Sequence, residues 1–164
     1  MASIVNTRSV NDPQRAYEFE VSLFGTNSLP ILTERVQNVT IPEKSVETIE
    51  INFKSSKTIY AGRDASPHTV IVTFWEDESN SLYAFFSEWM DRIRRPDGSG
   101  GETRDLYNAE MLISRLMADS TTVSASNRLS NVFITSLGDV SLSYESSEHM
   151  TFDVTFSYDE NTAE

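Results

Sequence analysis

Cysteine is absent from this 164-residue sequence, and histidine occurs only twice. Without a thiol there is no disulfide, no thiolate metal site and no cysteine nucleophile. Cations are scarce as well: 13 Lys+Arg stand against 25 Asp+Glu, a formal net charge of −12 with a pI near 4.5. Such a surface repels polyanions, which excludes a clamp for nucleic-acid phosphates or anionic lipid. No run approaches the ~20 apolar residues of a membrane span, and MASIVNTRSVNDPQR lacks the apolar centre of a signal peptide. These absences predict a soluble acidic domain made in the cytosol.

What is present suits half-buried β surface. The apolar share is 38%, below the roughly 45–50% of an average globular chain. Serine and threonine fill the gap with 38 residues, and aromatics at 10% argue against disorder. The length fits one domain, expected over residues 16–160 between a flexible arm (1–15) and a short C-terminal tail (161–164).

Alternation predicts most of the elements. Tyr17, Phe19, Val21 and Leu23 oppose Glu18, Glu20 and Ser22, and a turn follows at Gly25-Thr26-Asn27-Ser28. A weaker strand is expected over Thr33–Ile41, and another over Val46–Phe53. Ser55-Ser56 breaks the chain before Lys57–Ala61, and residues 62–67 read as a loop. His68–Trp75 reads as a strand covered on both faces. The period then changes: Leu82, Phe85, Phe86, Trp89 and Ile93 mark one helical face. A helix is expected over about residues 79–95, capped by Asp77, Ser79 or Asn80. Residues 96–104 read as a flexible loop, and Asn108–Ala118 fits a strand or a short helix. Thr121–Thr135 reads as a bulged strand, and Val140–Tyr144 with Met150–Tyr158 as a hairpin across Glu145–Glu148. The expected fold is mainly β, an antiparallel sandwich or barrel with one flanking α-helix.

Chemistry is harder to find. His68 and His149 open a strand and sit in a turn, with no H-x-x-x-H or G-x-S-x-G pattern around them. Gly98-Ser99-Gly100-Gly101 lacks the lysine and preceding strand of a phosphate cradle. Glu145 and Glu148 read as solvated turn acids rather than a glycosidase pair. Asn38-Val39-Thr40 has only the form of a glycosylation site. No nucleophile, metal or cofactor site is predicted, and no enzyme activity.

The order of elements nevertheless resembles a known family. AYEFEVSLFG, VQNVTIPEKSVETIEINF, KTIYAGRD and HTVIVTFWEDESNSLYAFFSEWMDRI, closed by NVFITSLGDVSLSYESSEHMTFDVTFSYD, resemble the tail tube proteins of contractile-tailed bacteriophages over residues 17–159. The resemblance implies a virion component assembled in the host bacterial cytoplasm. It implies hexameric rings that stack into a tube, with the inner sheet continuous between subunits. DNA and tape-measure protein pass through the lumen, with no tight hold on the DNA, and sheath, baseplate or initiator and tail terminator proteins are the other partners. Six copies at −12 each put about −72 of formal charge on a ring, and an acidic lumen repels phosphates. Ile41 to Lys57, including Pro42, Glu43 and Lys44, resembles the family's protruding hairpin that reaches the adjacent ring, and Lys57, Tyr60, Gly62, Arg63 and Asp64 match the link after it. Gly62 is expected to supply a backbone conformation closed to other residues. Glu47 and Glu50 are expected to face the lumen, and Leu82, Phe85, Phe86 and Trp89 to anchor the helix on the sheet. A tube of a related contractile injection or secretion system, and a monomeric ligand-binding β-sandwich, are the alternatives.

Overall fold

The computed structural model describes residues 12–25 and 32–164. Most of the expected arm, residues 1–11, lies outside the described residues, as do Thr26, Asn27 and Ser28 of the first turn. Nine strands run in chain order: β1 (Phe19–Phe24), β2 (Val36–Val39), β3 (Val46–Phe53), β4 (Ser56–Asp64), β5 (Thr69–Trp75), β6 (Ala109–Leu116), β7 (Val123–Leu137), β8 (Thr151–Ser157) and β9 (Glu160–Ala163). Among the described residues three helical segments accompany them: α1 (Leu32–Arg35), α2 (Ser81–Ile93) and α3 (Arg104–Tyr107).

Seven strands form one antiparallel sheet in the order β1-β6-β7-β8-β5-β2, with β9 also on β7. The 15-residue β7 belongs to both halves of it. Its first part pairs with β6 and β9, and Phe133–Leu137 pair with β8. Alternating side chains from both halves meet in one core: Val21, Leu23, Met111, Ile113 and Leu129 from one side, and Val70, Val72, Phe74, Phe152 and Phe156 from the other. The fold is therefore the expected antiparallel sandwich with a flanking helix, and the sheet does not close into a barrel. A cleft of about 690 Å³, lined by Tyr17, Phe19, Val39, Ile41 and Ile113, lies beside the end strands β1 and β2.

The helix forms where the period changes. Leu82, Phe86 and Trp89 are buried at i, i+4 and i+7. Phe85 is half-buried, with its ring 5.5 Å from that of Phe86. The Trp89 indole N–H donates to the Tyr107 carbonyl at 2.8 Å, which satisfies its polar atom inside the core. The helix begins differently from expectation. Asn80 holds the cap position with φ 53° and makes no side-chain cap bond, and Asp77 instead accepts from Ser79. The cap comes from Glu76, whose Oε2 accepts from the Tyr83 N–H at 2.6 Å. That carboxylate is 1% exposed and pairs with Arg35 at 3.0 Å.

Five further expectations are corrected. The predicted strand over Thr33–Ile41 begins as the helical turn α1, fixed by Trp75, whose indole donates to the Glu34 carbonyl at 3.2 Å. β5 is buried on one face only: Val70, Val72 and Phe74 point inward, while Ile71, on the other face, is 52% exposed. The 96–104 loop is tied down, with Arg95 N–H donating to Gly100 O and Glu102 N–H to Arg92 O. A Cβ on Gly101 would stand 1.9 Å from the Ile93 carbonyl, which is why glycine fits there. Residues 140–144 form no strand, so the predicted hairpin is absent, and β8 pairs with β5 and β7 instead. The expected tail at 161–164 lies almost wholly within β9, since Asn161, Thr162 and Ala163 pair with β7.

The turn between β6 and β7 makes a pH prediction. Asp119 accepts from the N–H groups of Thr121 and Thr122 and from the Thr122 hydroxyl. These bonds, the Thr122 hydroxyl first, lower its pKa from 3.8 to about 2. A depressed carboxylate stabilises the fold above its unfolded pKa, and that contribution fades as pH falls through the folded value. Thermal unfolding followed from pH 4 toward pH 2 is expected to show a shallower acid loss for Asp119→Asn than for the native chain, whose advantage over the variant is full at neutral pH and shrinks as pH falls.

Candidate assembly surface

Among the described residues β3 and β4 pair only with each other. Every residue of β3 is exposed, and β4 is exposed except at half-buried Gly62. A ribbon exposed on both faces stands away from the body, and eight residues at ~3.3 Å each give it a reach of about 26 Å. An isolated two-stranded ribbon is marginal in water. This one nevertheless displays Ile49, Ile51 and Phe53 on one face beside Tyr60, the cross-strand partner of Ile49. Each of the four is more than half exposed. A soluble domain rarely leaves so much contiguous apolar surface uncovered unless something docks there.

The root of the ribbon is held firmly. Ala65 N–H donates to Ser45 O at 2.9 Å. The Asp64 carboxylate accepts from the Ser66 N–H and hydroxyl, at 2.9 and 2.6 Å. His68 Nε2 lies 3.1 Å from its other oxygen. Those Ser66 bonds, then His68, hold the Asp64 carboxyl below its usual range. His68 thus serves as a brace at the ribbon's foot. It sits at φ 54°, with its ring 5.4 Å from Tyr158.

The residues predicted from sequence fall along this ribbon and its approach. Glu43 and Lys44 are exposed before β3, Pro42 is buried, and Ile41 borders the β1–β2 cleft. Lys57 stands near the tip and pairs with Glu50 at 2.7 Å. Tyr60 lies on the apolar face, while Gly62, Arg63 and Asp64 end β4 rather than forming the loop the sequence suggested. Gly62 is needed for a different reason from the expected one. Its φ is not positive, but a Cβ there would lie 3.1 Å from the Glu47 carbonyl and 3.2 Å from its Cβ. The register slips between Val46 and Thr48, so Gly62 and Arg63 together oppose Glu47 as a bulge. Glu47 lies 3.8 Å from Arg63.

Alternation places Glu47 and Glu50 on opposite faces of the ribbon, Glu47 with the apolar row and Glu50 with Thr48 and Asn52. One feature was hidden in the sequence and another was open to reading. The apolar row of β3 alternates as any half-buried strand does, so it gave no sign of lying outside the chain's own core. The charge distribution was legible: all three lysines, Lys44, Lys54 and Lys57, lie at residues 44–57. Residues 46–64 carry three acids and three bases, so the entire −12 resides elsewhere. Among the described residues no group of His, Asp or Glu is arranged to hold a metal ion, and no helix is long and apolar enough to cross a membrane.

The chain is thus an open-edged β-sandwich with a braced ribbon whose apolar row stands exposed outside the core. The chain belongs to the phage tail tube protein family, whose model matches residues 13–164. Its fold is similar to a chain of the sheath/tube terminator of the PVC extracellular contractile injection system, with 19% identity, a TM-score of 0.73, and 95% of this chain and 99% of that one covered. A chain of the PVC sheath-tube complex is similar at 19% identity and TM-score 0.70, with 99% of each covered. A chain from the tail of a GTA particle is similar at 12% identity and TM-score 0.54, with 92% and 98% covered. Curated protein sequences provide no match.

Proposed function

We propose that the chain is the structural subunit of a tail tube, without enzymatic activity, cofactor or membrane insertion, and that it forms hexameric rings stacked into a hollow tube. The ribbon carries this reading: its apolar face must be covered for the protein to remain soluble, and identical copies in a closed ring provide cover without leaving open sheet edges. The tube conducts DNA and houses tape-measure protein within a contractile sheath. Baseplate or initiator and terminator proteins close its ends, and the particle assembles in the host bacterial cytoplasm. Likeness to injection-system structures at TM-scores of 0.70 and 0.73, against 0.54 for the GTA tail, favours one variant, the inner tube of a contractile injection apparatus.

In either variant the negative charge keeps the passage slippery. The row of Ile49, Ile51, Phe53 and Tyr60 is the larger apolar face and the one protein covers, so the Glu50 face, with Thr48, Asn52 and the apolar pair Val46 and Ile59, faces the lumen, while Glu47 lies toward the contact. Glu50→Lys is expected to leave assembly intact and slow DNA ejection, whereas Glu47→Lys should weaken assembly first. Unchanged ejection with Glu50→Lys removes that acid from the channel wall. Sedimentation velocity of the native protein tests the assembly itself: concentration-dependent species of six or more copies are expected, and a monomer across the whole range overturns the proposal.

A further inference from the structure

Besides the ribbon, a second exposed apolar segment lies in the connection between β7 and β8. Val140, Leu142 and Tyr144 alternate with Ser141 and Ser143 in the pattern of a strand. Val140 packs against the core, while Leu142 is 81% and Tyr144 110% exposed. Gly138 N–H donates to Asp153 O at 2.7 Å, but residues 139–144 make no backbone hydrogen bond with the described chain. Backbone groups in that state are a template for pairing with another strand. The same connection carries Asp139, Glu145 and Glu148 with no lysine or arginine between residues 138 and 150, and none of the three acids is in an ion pair within the described chain.

The ribbon tip has the complementary character. Phe53 is 69% exposed at the turn, with the Lys54 ammonium 5.6 Å from its ring centre. Lys57 is already paired with Glu50, but Lys54 has no carboxylate partner among the described residues. Given the self-assembly proposed above, on which this rests, we infer that the β3–β4 ribbon of one copy docks on residues 139–148 of a second copy. Residues 140–144 pair as a strand against the ribbon's edge. Leu142 and Tyr144 cover the Ile49, Ile51, Phe53 and Tyr60 row. Lys54 meets Glu145 and Glu148. Charge complementarity selects this occupant: an unpaired cation on an apolar ribbon faces unpaired acids on an apolar, strand-like segment of the same chain.

A charge swap tests the contact. Lys54→Glu should raise the protein concentration needed for tube formation by about tenfold, equivalent to ~1.4 kcal/mol per subunit contact. Glu145→Lys with Glu148→Lys should do likewise, and combining the swaps should restore assembly toward the native concentration. Leu142→Ser with Tyr144→Ser should suppress tubes while leaving the monomer's circular dichroism and melting unchanged, because both side chains are exposed. Native tubes with no rescue in the combined variant, or with no effect of the Leu142 and Tyr144 changes, overturn this contact and leave self-assembly standing. A native chain that never assembles overturns both.

Discussion

Replacing residues 46–64 with two glycines is expected to abolish rings and tubes while leaving the remaining domain folded. The cut is feasible because Ser45 and Ala65 already touch, with the Ala65 N–H donating to the Ser45 carbonyl at 2.9 Å. A short link therefore closes the gap without stretching the chain. None of the residues removed belongs to the buried core, which is built from β1, β5, β6, β7, β8, α2 and Tyr158. Urea unfolding of the shortened protein should show the native midpoint within about 1 kcal/mol, the scale usual for surface changes away from the core. Electron microscopy should show monomers only. A shortened chain that still forms tubes places the assembly surface elsewhere, and one that unfolds makes the ribbon part of the fold.

The second large effect concerns stability. Glu76→Ala is expected to cost about 3–5 kcal/mol, the range for breaking a buried ion pair by removing one partner. The carboxylate, 1% exposed, receives the Tyr83 N–H at the start of α2 and the Asp77 N–H beside it, and it pairs with Arg35. Its loss leaves Arg35, itself only 12% exposed, with Asp77 alone, and frees an N–H at the mouth of the helix. Glu76→Gln retains an acceptor for Tyr83 and should cost less. Chemical denaturation of both variants checks the order. Equal losses in the two make the charge the whole effect, and a negligible loss in both removes Glu76 from its role.

These two residue sets mark the boundary of what the sequence made legible. The helix was plain because Leu82, Phe86 and Trp89 recur at a spacing only a helix satisfies, and β1 and β8 alternate against their own core. Glu76 was hidden because its partners are nonlocal in the chain: Arg35 lies 41 residues away, while the side chains nearer the helix, Asp77, Ser79 and Asn80, had the usual capping chemistry. Gly62 was visible as a special glycine, but its reason required knowing that Glu47 lies across the bulge.

The candidate surface was half legible. Positions 41–44 and 57–64 mapped to the ribbon and its root through the family resemblance, and the structure joins them in one feature. Alternation alone cannot distinguish a face covered by the same chain from one covered by another. The alternation of Ile49, Ile51 and Phe53 therefore did not say what covers them, and Val140, Leu142 and Tyr144 read as half of a hairpin whose other strand, β8, is already paired on both edges. Both follow from one physical limit: the period of a strand does not reveal which chain supplies its cover.

The most direct measurement is negative-stain microscopy of the purified native chain at high concentration, without sheath or other tail proteins. Hollow tubes of stacked six-fold rings are expected, and none from the ribbon-deleted protein under the same conditions. A native chain that remains a dispersed monomer at every concentration and salt condition contradicts it.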